Sequence, residues 1–356
     1  MSAPLTPAAP ASAVAPAGPV AAPEVVEAPA VKRRVPSHGW RVIAAKELGD
    51  HILSVRFIVL FVLLGIAAVI PLYFAADQIR NLAPTVSGAS AVFLALFRIG
   101  SDQIAGLQVD TFVGIVAPLL GLAFAFDAVN GERSEGTLPR LVAQPIYRDD
   151  VINGKFAGGL AAIGIVLVAV IMIIAAFGLL RLGLVPHAQE VVRLAVWVGV
   201  TFMYVALWLS FGLLLSVVFR RAATSALIGF GVWAVVVFFG GLIVSFAQGL
   251  VGANANDTVD QQLQAAQLQD LIRHFLPSEL YSDLSTVILN PGATAASVSV
   301  PGSIGQVQQA QQQIPTLLSL DQSLLLVWPQ VVALVALTVV CFAAAYITFM
   351  RQEVRA

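Results

Sequence analysis

FDAVNGERSEGTLPRLVAQPIYRDDVINGK, residues 126–155, is a charged stretch set between two long apolar runs. From Asp127 to Lys155 it carries four basic and five acidic side chains, in a chain of which only 11% is charged. Charge this concentrated has to sit in water. The surrounding sequence is the opposite: 58% of the chain is hydrophobic and the mean hydropathy is +0.88, more apolar mass than 356 residues could close into soluble cores. Residues 127–155 are therefore read as a polar loop of an all-α, polytopic membrane protein.

The internal order of the loop is specific. Glu132 and Glu135 lead into Thr137, which is placed to cap a helix starting at Leu138, so both acids lie near that helix's positive end. Gly136 permits close backbone approach there, and Pro139 fits only a first turn. Leu138, Leu141 and Val142 then offer apolar knobs, Pro145 ends the segment, and Arg148 and Lys155 return the chain to the headgroups. The pattern predicts a small amphipathic plug on which a soluble partner docks. A solvated hairpin that its charges merely keep out of lipid is the alternative.

Working outward, uncharged runs are matched against the roughly 20 residues needed to cross about 30 Å of hydrocarbon. They predict six spans, near 57–76, 111–126, 156–180, 194–219, 222–248 and 324–350. The second is short at its uncharged core and is expected to continue past Asp110 or Asp127. Residues 86–97 are apolar but only about a dozen, a length suited to a re-entrant or surface helix. Lys and Arg near the span ends set the orientation. Arg41, Lys46, Arg56, Arg133, Arg140, Arg148, Lys155, Arg220, Arg221, Arg351 and Arg355 lie on one side, and Arg80, Arg98, Arg181 and Arg193 on the other. Eleven against four puts both termini and the 127–155 loop in the cytoplasm.

The flanks fit that frame. Residues 1–36, rich in Ala and Pro, read as a disordered cytoplasmic tail. Residues 37–56 read as an amphipathic interfacial helix, with Trp40, Ile43, Ala44, Leu48, Ile52 and Val55 on its apolar face. The permease domain proper covers 57–350, with 351–356 as a cytoplasmic end. Residues 249–323 form a long external loop with two Gln-rich tracts, in which Ala265, Leu268, Leu271, Ile272 and Phe275 are spaced to share one helix face.

No Asp, Glu, Lys, Arg or His falls within the six predicted spans, whereas proton- and ion-coupled carriers place ionisable groups at mid-membrane depth. A P-loop is excluded too: Gly131 and Gly136 have the glycine spacing, but Thr137-Leu138 stands where Lys-Ser/Thr is required. Four scattered histidines and one cysteine, Cys341, give no metal site and no internal disulfide, and a formal net charge of −1 gives no pull on nucleic acid. Ser and Thr within spans, Ser216 among them, read as backbone-bonded packing residues.

Glu132-x-x-x-Gly136-Thr137-Leu138, then Pro145, Arg148 and Gly154-Lys155, resembles the first cytoplasmic loop of the ABC-2 type permeases, the six-helix membrane subunits of ABC transporters. The Lys46-Glu47 pair in the leading helix and the ending Phe349-x-Arg351-x-Glu353-x-Arg355 are similar to that family as well. The resemblance covers about residues 38–355; the Ala/Pro tail and the long fifth-to-sixth-span loop depart from its shorter members. It implies an exporter permease in the cell membrane, a second permease copy or a related permease as partner, and a separate ATPase chain that binds ATP and Mg. This chain then holds no cofactor and has no catalytic residue. The resemblance also implies that Glu132, Arg133, Glu135, Gly136, Thr137, Leu138, Leu141, Pro145, Arg148 and Lys155 form the coupling element on which the ATPase docks. Two other classes stay open, a secondary carrier or channel and a membrane anchor or sensor that binds a partner through residues 249–323.

Overall fold

The computed structural model of the protein describes residues 39–86, 92–98, 108–137, 147–251, 259–290 and 319–352. The expected tail, and Leu138, Leu141 and Pro145 of the loop with the helix predicted to start there, lie outside the described residues. Every regular element among the described residues is helical. A short helix α1 (Gly39–Ile52) precedes α2 (Val55–Val86), and a seven-residue α3 (Val92–Arg98) leads to α4 (Val109–Ala125) and a single turn, α5 (Asn130–Ser134). Two long helices follow, α6 (Arg148–Leu182) and α7 (Ala188–Val218). Next come α8 (Ala222–Ala234), a π-helical turn (Val235–Phe239) and α9 (Gly240–Val251), which together make one rod. Two shorter helices, α10 (Val259–Arg273) and α11 (Pro277–Leu289), precede the last, α12 (Leu320–Arg351).

Six of these stretches are long and apolar enough to cross a membrane: Val55–Phe74, Val109–Ser134, Arg148–Leu182, Ala188–Val218, Ala222–Leu250 and Leu320–Arg351. Helices are what such sequences must form, because hydrocarbon offers the backbone no other hydrogen-bond partner. The fourth span, α7, is central: 67% of its apolar stretch is buried, against 17% in the fifth span and 11% in the sixth. Leu227, Phe238, Leu242 and Phe246 on the fifth span, and Trp328, Val332 and Val339 on α12, are left exposed. Such surface faces lipid or another membrane helix.

Close approaches between helices are bought with glycine. A Cβ on Gly121 of α4 would fall 2.7 Å from both the Leu209 nitrogen and the Val205 oxygen of α7. On α6, Gly154 and Gly158 leave a groove for α1: a Cβ at the first would meet Ile43 Cβ at 2.6 Å, and at the second Glu47 Cβ at 2.7 Å. This groove decides which face of α1 is packed. Gly39, Ile43 and Glu47 are buried, while Trp40, Ile52 and Val55, expected on the apolar face, are exposed. Ile43, Ala44 and Leu48 of the expected face lie in or beside the groove, and Glu47 joins them there because it meets Lys155.

The described part of residues 249–323 is helical. Gln248 and Gln269 exchange amide-to-carbonyl hydrogen bonds of 3.2 Å in both directions, so α10 runs back beside α9. A Cβ on Gly240 would lie 3.1 Å from Leu276, which places the start of α11 about eight residues, or about 12 Å, further down the rod. From there α11 climbs antiparallel to α7. Tyr281 meets Thr201 at 3.2 Å and stacks on Tyr204 at 4.6 Å, Trp197 donates to Ser285 at 2.7 Å, and Arg193 donates to the Ile288 carbonyl at 3.1 Å. The segment from Val259 to Asn290 thus forms a hairpin of which α11 is packed among the spans while α10 lies beside α9. Of the predicted face, Ala265 is buried but Leu268 and Leu271 of α10, and Phe275 in the turn after it, are exposed. In the 86–97 region, Val86 ends α2, residues 87–91 lie outside the described set, and the short helix is α3.

The helices outrun the predicted uncharged spans and bring charge to their ends. Asp110, Lys155, Glu190 and Arg193 are buried. At the end away from the loop, Arg98 holds Asp110 at 2.7 Å and Thr286 at 3.1 Å, and Glu190 accepts from the Phe93 and His187 amides, each at 2.8 Å. These pairs fasten α3 and α11 to the bundle.

Candidate functional site

The first half of the charged loop is short, ordered and bonded on every side. After α4 the chain turns through Phe126–Val129 and forms α5, which ends in a Schellman motif: Thr137 N–H reaches the Glu132 carbonyl at 2.9 Å and Gly136 N–H the Arg133 carbonyl at 3.3 Å. Gly136 sits at φ +68°, and a Cβ there would touch nothing within 4 Å. Its positive φ makes the left-handed turn that ends α5, and its open face is free for another backbone to approach. Thr137 also closes α5, its hydroxyl donating to the Glu132 carbonyl at 3.2 Å, while the amides it is expected to cap lie outside the described residues.

Lys155 is the pivot. Its side chain is 3% exposed, and its ammonium donates to Glu132 at 2.7 Å and to Glu47 at 2.9 Å. One buried cation therefore joins the loop, α1 and α6. Beside it, Arg56 at the start of α2 pairs with Asp127 at 2.5 Å and lies over the Phe126 ring at 5.2 Å. Asp150 serves two helix starts, accepting from Tyr147 N–H at 3.4 Å and from Trp40 N–H of α1 at 3.1 Å. A carboxylate is well placed at a helix N-terminus, where amides lack partners and the dipole is positive.

The loop also closes the ends of two spans. The amides of Val129 and Asn130 donate to Ser216 Oγ at 2.9 and 3.2 Å, and the Asn130 side chain donates to the Phe219 carbonyl at 3.3 Å, at the C-terminal end of α7. Arg148 donates to the Gln352 carbonyl at 2.8 Å and the Phe349 carbonyl at 3.4 Å, and its guanidinium lies over the Phe349 ring at 5.6 Å. Arg133 donates to the Gln352 side-chain oxygen. The Gln352 amide donates in turn to the Val217 carbonyl at 2.8 Å.

Between α1 and the loop lies a cleft of about 600 Å³. Five carboxylates, Glu47, Asp50, Asp127, Glu132 and Glu135, line it against two lysines, Lys46 and Lys155. His51 also faces it, packed on Phe124 with ring centres 4.7 Å apart. Burial pushes the imidazole below its usual pKa, and the opposing pull of the Glu47 charge does not overcome it. The cleft is thus acidic at its rim.

Of the residues expected to form a coupling element, the structure pairs Glu132 with Lys155 and brings Arg133 and Arg148 together on Gln352. Glu135, Gly136 and Thr137 form the loop's exposed edge. Sequence reasoning missed Asp127, Asn130, Asp150, Ser216 and Gln352, and took Glu47 only as half of a motif. A charged or amide residue at the end of an otherwise apolar span was the available signal for most of them. Ser216 departs from Thr201, Ser210 and Thr338, whose hydroxyls do bond the carbonyl four residues back.

Six apolar spans, with a short helix packed beside the third and a bonded turn after the second, define a multi-pass integral membrane protein. Residues 41–354 match the model of the ABC-2 family transporter proteins, and the chain belongs to that family. It is an integral protein of the cell membrane. The chain is also similar, at 27% identity over 196 residues, to the "Probable ABC transporter permease protein NosY" of Stutzerimonas stutzeri. That match takes in 54% of this chain and 64% of the relative's length.

Proposed function

We propose that the protein is the permease subunit of an ABC exporter, with the loop end of the bundle in the cytoplasm and a separate ATPase chain docked against it. In this reading ATP and Mg are bound by that partner, and a second copy of this chain or a related permease completes the pathway. Residues 1–36 and 351–356 are then cytoplasmic ends, and α1 lies at the inner membrane surface. The observation that carries the reading is the bonding of one loop to five spans. It follows directly from the second, pairs with the first through Asp127 and the third through Lys155, and caps the fourth and sixth through Asn130 and Arg148. A displacement applied at the exposed edge from Glu135 to Thr137 is thereby delivered to the transmembrane helices. The acidic cleft next to that edge suits a partner surface carrying basic side chains.

An anchor or sensor that binds its partner through residues 249–323 would have to use surface other than α11, which is packed into the bundle. Co-purification of the ATPase subunit with the permease tests the proposal. Glu135 is exposed, so Glu135→Lys is expected to leave permease abundance unchanged. It should weaken ATPase association roughly five- to a hundredfold, the equivalent of about 1 to 3 kcal/mol for one charged contact. An ATPase that stays fully bound to this variant would remove the loop as the docking element.

A further inference from the structure

We infer that Gln352 is a positioning residue that ties the sixth span to the coupling loop, so that α12 moves with the loop during the ATP cycle. The inference rests on the docking reading above and goes past it by naming the route into one particular span.

The last carbonyls of an α-helix have no partner within the helix and must find one elsewhere. At the loop end of α7 and α12 most of the partners come from residues that belong to neither helix. Val217 and Phe219 at the end of α7 accept from Gln352 and Asn130; Phe349 and Gln352 at the end of α12 accept from Arg148. Gln352 is where these bonds converge. Its side-chain oxygen accepts from Arg133 of α5, its side-chain amide donates to α7, and its own carbonyl accepts from Arg148 at the start of α6. Four helices, α5, α6, α7 and α12, thus meet at one residue that is the C-cap of the last.

The charges agree with the geometry. Two guanidinium groups stand at the negative end of the α12 dipole, where a cation is favoured. The Arg148 plane also covers Phe349, which is 1% exposed, so the arginine is fixed by packing as well as by hydrogen bonds. Along its length α12 packs on α7 and α11, with the ring centres of Phe342 and of Phe156 in α6 4.5 Å apart, but its hydrogen bonds to the loop gather at this end. The clamp is accordingly the point at which a shift of the loop takes hold of this helix.

The test uses the permease–ATPase complex in nanodiscs, with a bimane fluorophore at Leu325→Cys on a Cys341→Ala background. Leu325 lies near the opposite end of α12 and is 76% exposed. Wild-type Gln352 should give an emission change on ATP binding. Gln352→Ala should keep the ATPase bound and shrink that change about fivefold or more, the lower range of coupling between linked sites. Gln352→Glu, which still accepts from Arg133, should retain most of it. If the alanine form does not accumulate, Gln352→Asn, one methylene too short to span Arg133 and Val217 together, replaces it with the same expectation. A full ATP-dependent change in Gln352→Ala or Gln352→Asn would overturn the inference, as would its absence in the wild type with ATPase bound. Failure of the ATPase to bind the wild type would instead strike the docking reading, and this inference with it.

Discussion

Lys155 shows how much a single residue can hold at this end of the bundle. A lysine that is 3% exposed bears a desolvation cost that is offset only if its charge is met, and here two carboxylates meet it from separate elements. Replacement by methionine keeps the apolar stem and removes the charge, which takes from Glu132 its ion-pair partner and leaves Glu47 only Lys46, 3.5 Å away. Lys155→Met is therefore expected to cost about 3 to 5 kcal/mol, the usual penalty for breaking a buried pair by removing one member. Thermal unfolding of the detergent-solubilised permease would check it, and a midpoint equal to wild type would show that the pair carries no stability. The importance of Lys155 was partly legible in the sequence, because it stands at the polar edge of an apolar run. Its partners were not, since Glu132 is 23 residues away and Glu47 is 108. No periodicity connects residues that meet only when three helices assemble.

Among elements, α1 and α11 mark where sequence patterning stops being informative. The spans were read well because hydrocarbon imposes one length and one composition on all of them. α1 instead answers to a local groove. Its buried face includes a glutamate, which a hydrophobic pattern counts as solvent-facing. α11 has the mixed sequence PSELYSDLSTVIL, yet Leu280, Leu284 and Ile288 are fully buried and its polar residues find partners inside the bundle. Ser285 meets Trp197 and Asp283 meets Arg273 at 2.7 Å in each case. Polar side chains that satisfy one another cannot be told from polar side chains that face water by spacing alone. The α1 groove makes a direct prediction. Gly158→Leu would drive a side chain into Glu47 Cβ and the Ala44 carbonyl, which stand 2.7 and 2.9 Å from the nearest position of a Cβ. Overpacking of this kind typically costs about 1 to 3 kcal/mol, and here it also pries Glu47 from Lys155. The variant is expected to unfold at lower temperature and to expose α1 to limited proteolysis. Unchanged proteolysis would mean that α1 does not depend on the groove.

At the scale of the whole molecule, the question that decides the functional reading is which end of the bundle faces the cytoplasm. The structure groups Arg56, Arg133, Arg148, Lys155 and Arg351 at the loop end with α1, and Arg98, Arg181 and Arg193 at the other, so the charge asymmetry read from the sequence survives folding. It also changes which residues can report on it. A probe at residue 280, a natural choice for a long external loop, would be mute because Leu280 is fully buried against the bundle. Two exposed positions serve instead: Glu135 on the edge of the coupling loop, and Val185, 71% exposed in the turn between α6 and α7. In a Cys341→Ala background, Val185→Cys should react with a membrane-impermeant maleimide in intact cells, and Glu135→Cys only after the membrane is opened. Bound ATPase should then protect Glu135→Cys while leaving Val185→Cys untouched, because the docking edge and the α6–α7 turn lie at opposite ends of two helices of 35 and 31 residues, about 50 Å apart by their rise. The reverse pattern of labelling would invert the orientation and place the loop where no ATP-hydrolysing partner could reach it. Correct orientation without protection would leave the topology standing and move the ATPase contact away from Glu135.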